Sequence, residues 1–408
     1  MPNPALPHRP TNWTGVLFGF LLAVLAAFQQ FKLPPMLPDL LAAYDYPITV
    51  AGGFMSIYAV IGLVVSLGLG TLLARLGTLP ILMAAFATAI AGNILALTIP
   101  ENVWAMLGSR ALEGLAFAVF AIAGPVYSTR NAGPHHLSLA IAMSAIWIPI
   151  GQITANLLVP VAEATIGWRL LWLATAGATL LMAAWVVVIR VNRGRAMLDL
   201  RTQPDAVALP LSGEERWALA LAALIFTLWS AQYFAYMTWL PQFLVQQHGL
   251  DQNLATLGYS VPVVILIVVG LFTSRVIRRG AAVGPLLVGS LILQAGVWWA
   301  LPVTTGLEMG VVSLLVYGIG IGITPVCLFA LPSTILGSTR TGPKAFAAIM
   351  TGRNLGVLIG PVLLPQVLLL TGVWSASGPV FGAITTLDLI GAVFLTIGLA
   401  RMGRRGPT

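Results

Sequence analysis

Long apolar runs follow one another along almost the whole chain, at roughly 13–36, 47–73, 79–99, 103–128, 137–162, 168–189, 216–246, 254–274, 281–301, 308–336, 344–369 and 376–400. A run of about 20 apolar residues crosses the hydrocarbon core of a bilayer as a helix. Lipid offers backbone amides no partner outside a helix or a closed barrel. The expectation is therefore an all-α membrane protein of twelve transmembrane helices. Only 8% of the 408 residues are charged, against about 25% in a soluble domain.

The basic residues sort by side. With the N-terminus placed inside, the inner loops carry sixteen of them and the outer loops carry Arg169 alone, beside acids such as Asp39, Glu101 and Glu163. The positive-inside rule then predicts both termini in the cytoplasm, which requires an even number of spans. This distribution assigns the net charge of +8 to the membrane surface rather than to nucleic acid. Residues 1–12 show no signal-peptide pattern, and Trp13 is expected to anchor the first span at the interface. The single cysteine, Cys327, excludes an internal disulfide and a cysteine metal cluster.

One long polar segment, Val191–Glu215, divides the chain into 1–190 and 216–408 and reads as a cytoplasmic linker with no single structure. The halves look duplicated. Leu37-Pro38 recurs as Leu240-Pro241, in each case eight residues after a glutamine, Gln29 or Gln232. Gly124-Pro125-Val126 recurs as Thr324-Pro325-Val326, and Arg75 as Arg275. Four matches in one order predict two six-helix bundles related by a pseudo-two-fold axis.

Ionisable residues inside the spans mark candidate function, because each unpaired charge at bilayer depth costs roughly 2.5–3.5 kcal/mol on insertion scales. Arg110 and Glu113 lie three residues apart in the fourth span, on one helix face. They either line a solute or ion pathway or lock helices together. Lys32 either supplies a cation to a solute or snorkels to the outer interface. Arg353 lies nine residues beyond Lys344, about 13 Å deep at 1.5 Å per residue. It either clamps an anion through its guanidinium fork or pairs with Asp388 in the twelfth span. Gly352, Gly356 and Gly360 beside it predict a small-residue face for close helix contact.

In the seventh span Trp229, Gln232, Tyr233, Tyr236 and Trp239 fall mostly on one face; an aromatic stripe usually serves packing, but the glutamine and two tyrosines favour a cavity wall with hydrogen-bonding tips. Gln152 and Asn156 in the fifth span are a similar, lesser pair. No P-loop is present, and the four histidines have neither metal-ligand nor triad spacing. No enzyme, metal or cofactor is expected.

The segment Arg110-Ala-Leu-Glu113-Gly114 resembles the R-x-x-(Q/E)-G motif of the major facilitator superfamily. Gly70-Thr-Leu-Leu-Ala74-Arg75-Leu-Gly77 resembles that family's gating loop between spans two and three, with Ala74 where an acid is usual. The resemblance covers essentially the whole chain. Within the family, Trp239-Leu240-Pro241 and the run from Gly318 to Leu328 look most like the cyanate and nitroimidazole porters. Membership would imply alternating access: two bundles rocking about a midplane site lined by spans one, four, seven and ten.

These readings converge on a secondary transporter of the bacterial inner membrane, acting as a monomer on a small anion. Solute binding is assigned to Gln29, Lys32, Arg110, Trp229, Gln232, Tyr233, Tyr236 and Arg353. Gating is assigned to Gly70, Arg75 and Gly77. Glu113, and also Asp388, are assigned to proton coupling. The alternatives are an exporter of amphipathic or cationic compounds and, from another class, a transporter-like receptor that does not transport.

Overall fold

The computed structural model describes residues 10–193, 198, 211–304, 306–337 and 343–404. The side chains of 65–75 and 343–348, which include Gly70, Arg75 and Lys344, lie outside that description. Every regular element among the described residues is helical, in thirteen α-helices and three short 3₁₀ turns. Eleven helical segments are long and apolar enough to cross a membrane, and the described part of another, Ile48–Gly62, is a shorter apolar helix.

The first span is broken. Helix α1 (Trp13–Phe31) stops at Lys32 and α2 (Leu33–Tyr44) continues, so the helical segment reaches beyond the expected end near residue 36. Pro34 and Pro35 cause the break, since each lacks the N–H that an unbroken helix would donate four residues back; Pro38 lies within α2. The remaining spans fall close to their expected places: α3 (Ile48–Leu76), α4 (Thr78–Thr98), α5 (Val103–Asn131), α6 (Leu137–Glu163) and α7 (Arg169–Arg193), then α8 (Gly213–His248), α9 (Gln252–Arg278), α10 (Val283–Ala300), α11 (Leu307–Leu336), α12 (Pro343–Thr371) and α13 (Ser377–Arg404).

Local chemistry sets several of these ends. Asn102 caps α5 by accepting from the backbone N–H of Trp104 and Ala105. Ser212 and Glu215 form a reciprocal capping box on α8, and Gly249 closes that helix at φ +64°, a conformation that favours glycine. The expected gating loop is helical as far as Leu76. Only Gly77, at φ +79°, makes the turn into α4. The linker lies largely outside the described residues. Its Leu198 is buried, and its carbonyl accepts a hydrogen bond from Tyr127 Oη at 2.7 Å.

Two compact units form, one of Met1–Leu40 with Ile61–Gln203 and one of Leu41–Val60 with Pro204–Thr408. In unit 1, α1 packs on α5 and α6, and α4 packs on α5 and α7. In unit 2, α8 packs on α11 and α12, and α10 on α11 and α13. The first half of α3 packs with unit 2: Gly52 rests against the Pro361 carbonyl and Ser56 Oγ donates to Val357 O at 3.3 Å. The small-residue face of α12 is used as expected. Gly352, Gly356 and Gly360 lie against the carbonyls of Ala223, Thr227 and Ala231 on α8, leaving no room for a Cβ.

Candidate functional site

Each unit holds a buried polar cluster, and the two differ in charge. In unit 1 the cluster starts from the proline break. Pro34 cannot donate to the carbonyl of Gln30, and Arg110 on α5 does so instead: its Nη2 donates to Gln30 O at 2.8 Å and its Nη1 to Gln29 O at 2.9 Å. Nη1 also reaches Glu113 Oε2 at 2.5 Å, one turn along the same helix. The other carboxylate oxygen, Oε1, receives Lys32 Nζ at 2.6 Å. Lys32 further donates to Asn93 Oδ1 on α4 at 2.6 Å and Thr175 Oγ1 on α7 at 3.0 Å. Its ammonium sits 4.4 Å from the centre of the Trp172 ring, an added cation–π attraction. Gln29 Nε2 donates to Thr179 Oγ1 at 3.0 Å.

Lys32, Arg110 and Glu113 are all fully buried. This corrects the snorkelling reading of Lys32: the break after Phe31 leaves Lys32 between two helix segments, with its amine among α4, α5 and α7. The three charges sum to +1. Ion pairs of this kind are costly to desolvate and costly to break by removing one partner, so the cluster ties α1, α4, α5 and α7 into one arrangement.

In unit 2 the corresponding cluster is neutral. Gln232 on α8 donates through Nε2 to Gln294 Oε1 at 2.7 Å. Its own oxygen accepts from Trp298 Nε1 at 2.7 Å and Tyr317 Oη at 2.9 Å. Gln294 also accepts from Trp229 Nε1 at 3.0 Å and donates to Thr324 Oγ1 at 2.8 Å. Stacked rings frame it, Tyr236 on Tyr317 at 3.8 Å and Trp229 on Tyr233 at 5.0 Å. A cavity of about 30 Å³ beside Tyr236, Trp239 and Trp374 holds about one water and no solute.

Arg353 and Asp388 do not pair, which corrects the neutralised-pair reading. Lys32–Glu113 and Arg110–Glu113 are ion pairs, and neither Arg353 nor Asp388 joins one among the described residues. Arg353 on α12 is 8% exposed. Its guanidinium lies 5.3 Å from the Phe234 ring, and Nη1 donates to Asn354 Oδ1 at 3.2 Å. Asp388 on α13 is fully buried, with neither carboxyl oxygen hydrogen-bonded among the described residues. The two side chains sit on different helices, and α12 and α13 touch far less than either touches α8.

Gln29, Lys32, Arg110 and Glu113 thus meet in unit 1, and Trp229, Gln232, Tyr233 and Tyr236 line one region of unit 2. Sequence reading missed Asn93, Thr175 and Trp172 in the first cluster and Gln294, Trp298, Tyr317 and Thr324 in the second. Asn93 and Gln294 carried a usable signal, a lone amide within an apolar span. The hydroxyls and rings carried none, being common in membrane helices.

A family model described as Major Facilitator Superfamily matches residues 19–361. The inner membrane transport protein YdhP of Escherichia coli (strain K12) is 35% identical over 155 residues, covering 36% of this chain and 38% of YdhP. A probable sugar efflux transporter of Haemophilus influenzae (strain 86-028NP) is 27% identical over 229 residues, covering 56% of this chain and 55% of the relative. The matches therefore span between about a third and just over half of these curated relatives. Among solved structures, a mutant of the peptide transporter POT in complex with sulfate superposes with a TM-score of 0.78 at 16% identity, over 98% of this chain and 97% of that one. A bacterial homologue of the human lysosomal transporter Spinster, inward-facing and occupied, gives a TM-score of 0.68 at 14% identity, over 96% of both chains. At such identity the likeness is one of fold. The length of the family match decides the rest: this chain belongs to the Major Facilitator Superfamily.

Proposed function

We propose that this chain is a proton-coupled secondary transporter of a small anion, working by alternating access in the bacterial inner membrane with both termini in the cytoplasm. One observation carries the substrate class: Arg353 is a buried guanidinium with no carboxylate partner among the described residues. A charge that the protein leaves uncompensated at bilayer depth is a site for an opposite charge, and a guanidinium fork suits a carboxylate or another planar anion. Tyr233 interacts with it, and Trp229, Gln232 and Tyr236 on the same helix are assigned to the solute wall. Unit 1 adds to the bias, since Lys32 and Arg110 outweigh Glu113 by one positive charge. Gly70, Arg75 and Gly77 are placed at the gate, and Glu113 and Asp388 are the two acids available for a coupling proton.

A second reading is export of a neutral, hydroxyl-rich solute. It is favoured by the name of the Haemophilus influenzae relative and by the amide and indole groups of unit 2. Thermal stabilisation of the purified protein separates the two. Formate, nitrate and cyanate, a set of sugars and a set of lipophilic cations would each be tested on wild type and Arg353→Gln. A ligand at 100 times its Kd adds roughly 2.7 kcal/mol to apparent stability. Stabilisation by an anion that is lost in Arg353→Gln supports the anion reading. Stabilisation by a sugar or a lipophilic cation, unchanged in the variant, replaces it with an exporter.

A further inference from the structure

Unit 2 holds one buried cation and one buried acid that do not meet. Arg353 lies on α12 against the face of Phe234, while Asp388 lies on α13 with both oxygens unpartnered among the described residues. Of the helices packed against α13, α8 brings Tyr233 and Tyr236 within the span, α10 brings no titratable side chain, and α12 brings Arg353. None of these is hydrogen-bonded or ion-paired to Asp388. Glu113 is the opposite case, with one oxygen on Lys32 and the other on Arg110.

We propose that Asp388 is the proton-binding site of unit 2, and that proton and anion move together, one for one, as a symport. The inference rests on the anion reading of Arg353. Its logic is a charge count. Empty, the two buried groups carry opposite unit charges and sum to zero. With a monovalent anion at Arg353 and a proton on Asp388, the sum is again zero and each group is neutralised in place. With the anion alone the bundle has an excess negative charge, and with the proton alone an excess positive one. Charges in a low-dielectric interior act on one another without contact, so an anion at Arg353 favours a proton on Asp388 and that proton lessens the repulsion the anion meets. Each makes the other bind more tightly, and the half-loaded forms are the least populated. Coupling then needs no contact between the two sites.

The proton adds to a carboxylate oxygen of Asp388 from water on one side and leaves to water on the other; no other bond changes. Glu113 stays a fixed counter-ion, because protonating it would strand Lys32 and Arg110 without a partner. Transport of a monovalent anion is then electroneutral, driven by a pH gradient and indifferent to membrane potential.

Proteoliposomes supplied with labelled formate, nitrate or cyanate test this. An acid exterior should drive uptake, and an imposed potassium-diffusion potential should not. Asp388→Asn should lose gradient-driven accumulation by more than about tenfold while still exchanging labelled for unlabelled anion. Accumulation at the wild-type level in Asp388→Asn would overturn the proposal, and so would this same split appearing in Glu113→Gln. An infrared pH titration gives an independent readout: without anion the protonated-carboxyl band should appear only as the medium is made acid, and anion should raise the pH at which it appears. A protonated-carboxyl band that is absent in Asp388→Asn and present in Glu113→Gln supports the assignment, whereas a band surviving in Asp388→Asn overturns it. Should no anion bind or move, the reading of Arg353 fails while the infrared band still decides Asp388. If Asp388→Asn does not fold, Asp388→Glu should retain both the band and coupled uptake, and loss of both refutes the site.

Discussion

Arg110 Nη2 donates at 2.8 Å to the carbonyl of Gln30, the residue four before Pro34 and therefore the one whose carbonyl that proline leaves without a helical donor. The arginine stands in for a missing backbone N–H and fastens α5 to the broken end of α1. Replacing Arg110 by Leu should destabilise the protein by about 3–5 kcal/mol, since Glu113 and two carbonyls lose a partner at once. Arg110→Lys should recover only part, because an ammonium cannot present the same fork. Adding Pro34→Ala to Arg110→Leu returns an N–H to Gln30 and should recover about 1 kcal/mol. Denaturant or thermal unfolding in detergent of wild type, these three variants and Pro34→Ala alone measures this. Strict additivity would mean that the arginine acts otherwise.

Removing Glu113 should cost more than removing Lys32. Glu113→Gln leaves two fully buried cations without a counter-charge, a loss of about 3–5 kcal/mol. Lys32→Met leaves the Arg110–Glu113 pair intact and should cost less, and the double variant should recover part of the Glu113→Gln loss. Melting temperatures of the three variants show the order.

Proline frees a carbonyl in α12 as well. Pro365 cannot donate to Pro361 O, and Trp239 Nε1 donates there at 2.8 Å. Trp239→Phe keeps a ring but leaves that buried acceptor unsatisfied, for about 1–3 kcal/mol of stability. Pro365→Ala in the same background should lessen the loss, as read by thermal unfolding.

The glycine face of α12 should tolerate no side chain. A Cβ at Gly356 would meet the Thr227 carbonyl and Ser230, so Gly356→Ala should cost about 1–3 kcal/mol through overpacking. Gly289, with open space around its Cβ position, is the control, and Gly289→Ala should leave the melting temperature unchanged or slightly raised.

The all-helical class and approximate span boundaries were legible because the bilayer enforces a local rule, about 20 apolar residues per crossing, that the chain states outright. The close contact of Gly352, Gly356 and Gly360 was legible for the same reason, as a period of four along one helix. Partner choice was not. Arg110 and Glu113 could be placed on one face, but not the Lys32 amine between Glu113 and Asn93, which depended on a break at the prolines and on three other helices closing round it. Arg353 and Asp388 had compatible depths and opposite charges, and depth is all that a sequence gives. Which way each side chain points is set by helix rotation, and rotation by packing. The sequence alone determined a helical membrane chain of eleven to twelve apolar spans with ionisable residues inside them; only the tertiary structure decided that Glu113 is held by two cations while Arg353 and Asp388 stand apart, because hydrogen bonds act over about 3 Å and nothing local to a helix says which neighbour lies within that reach.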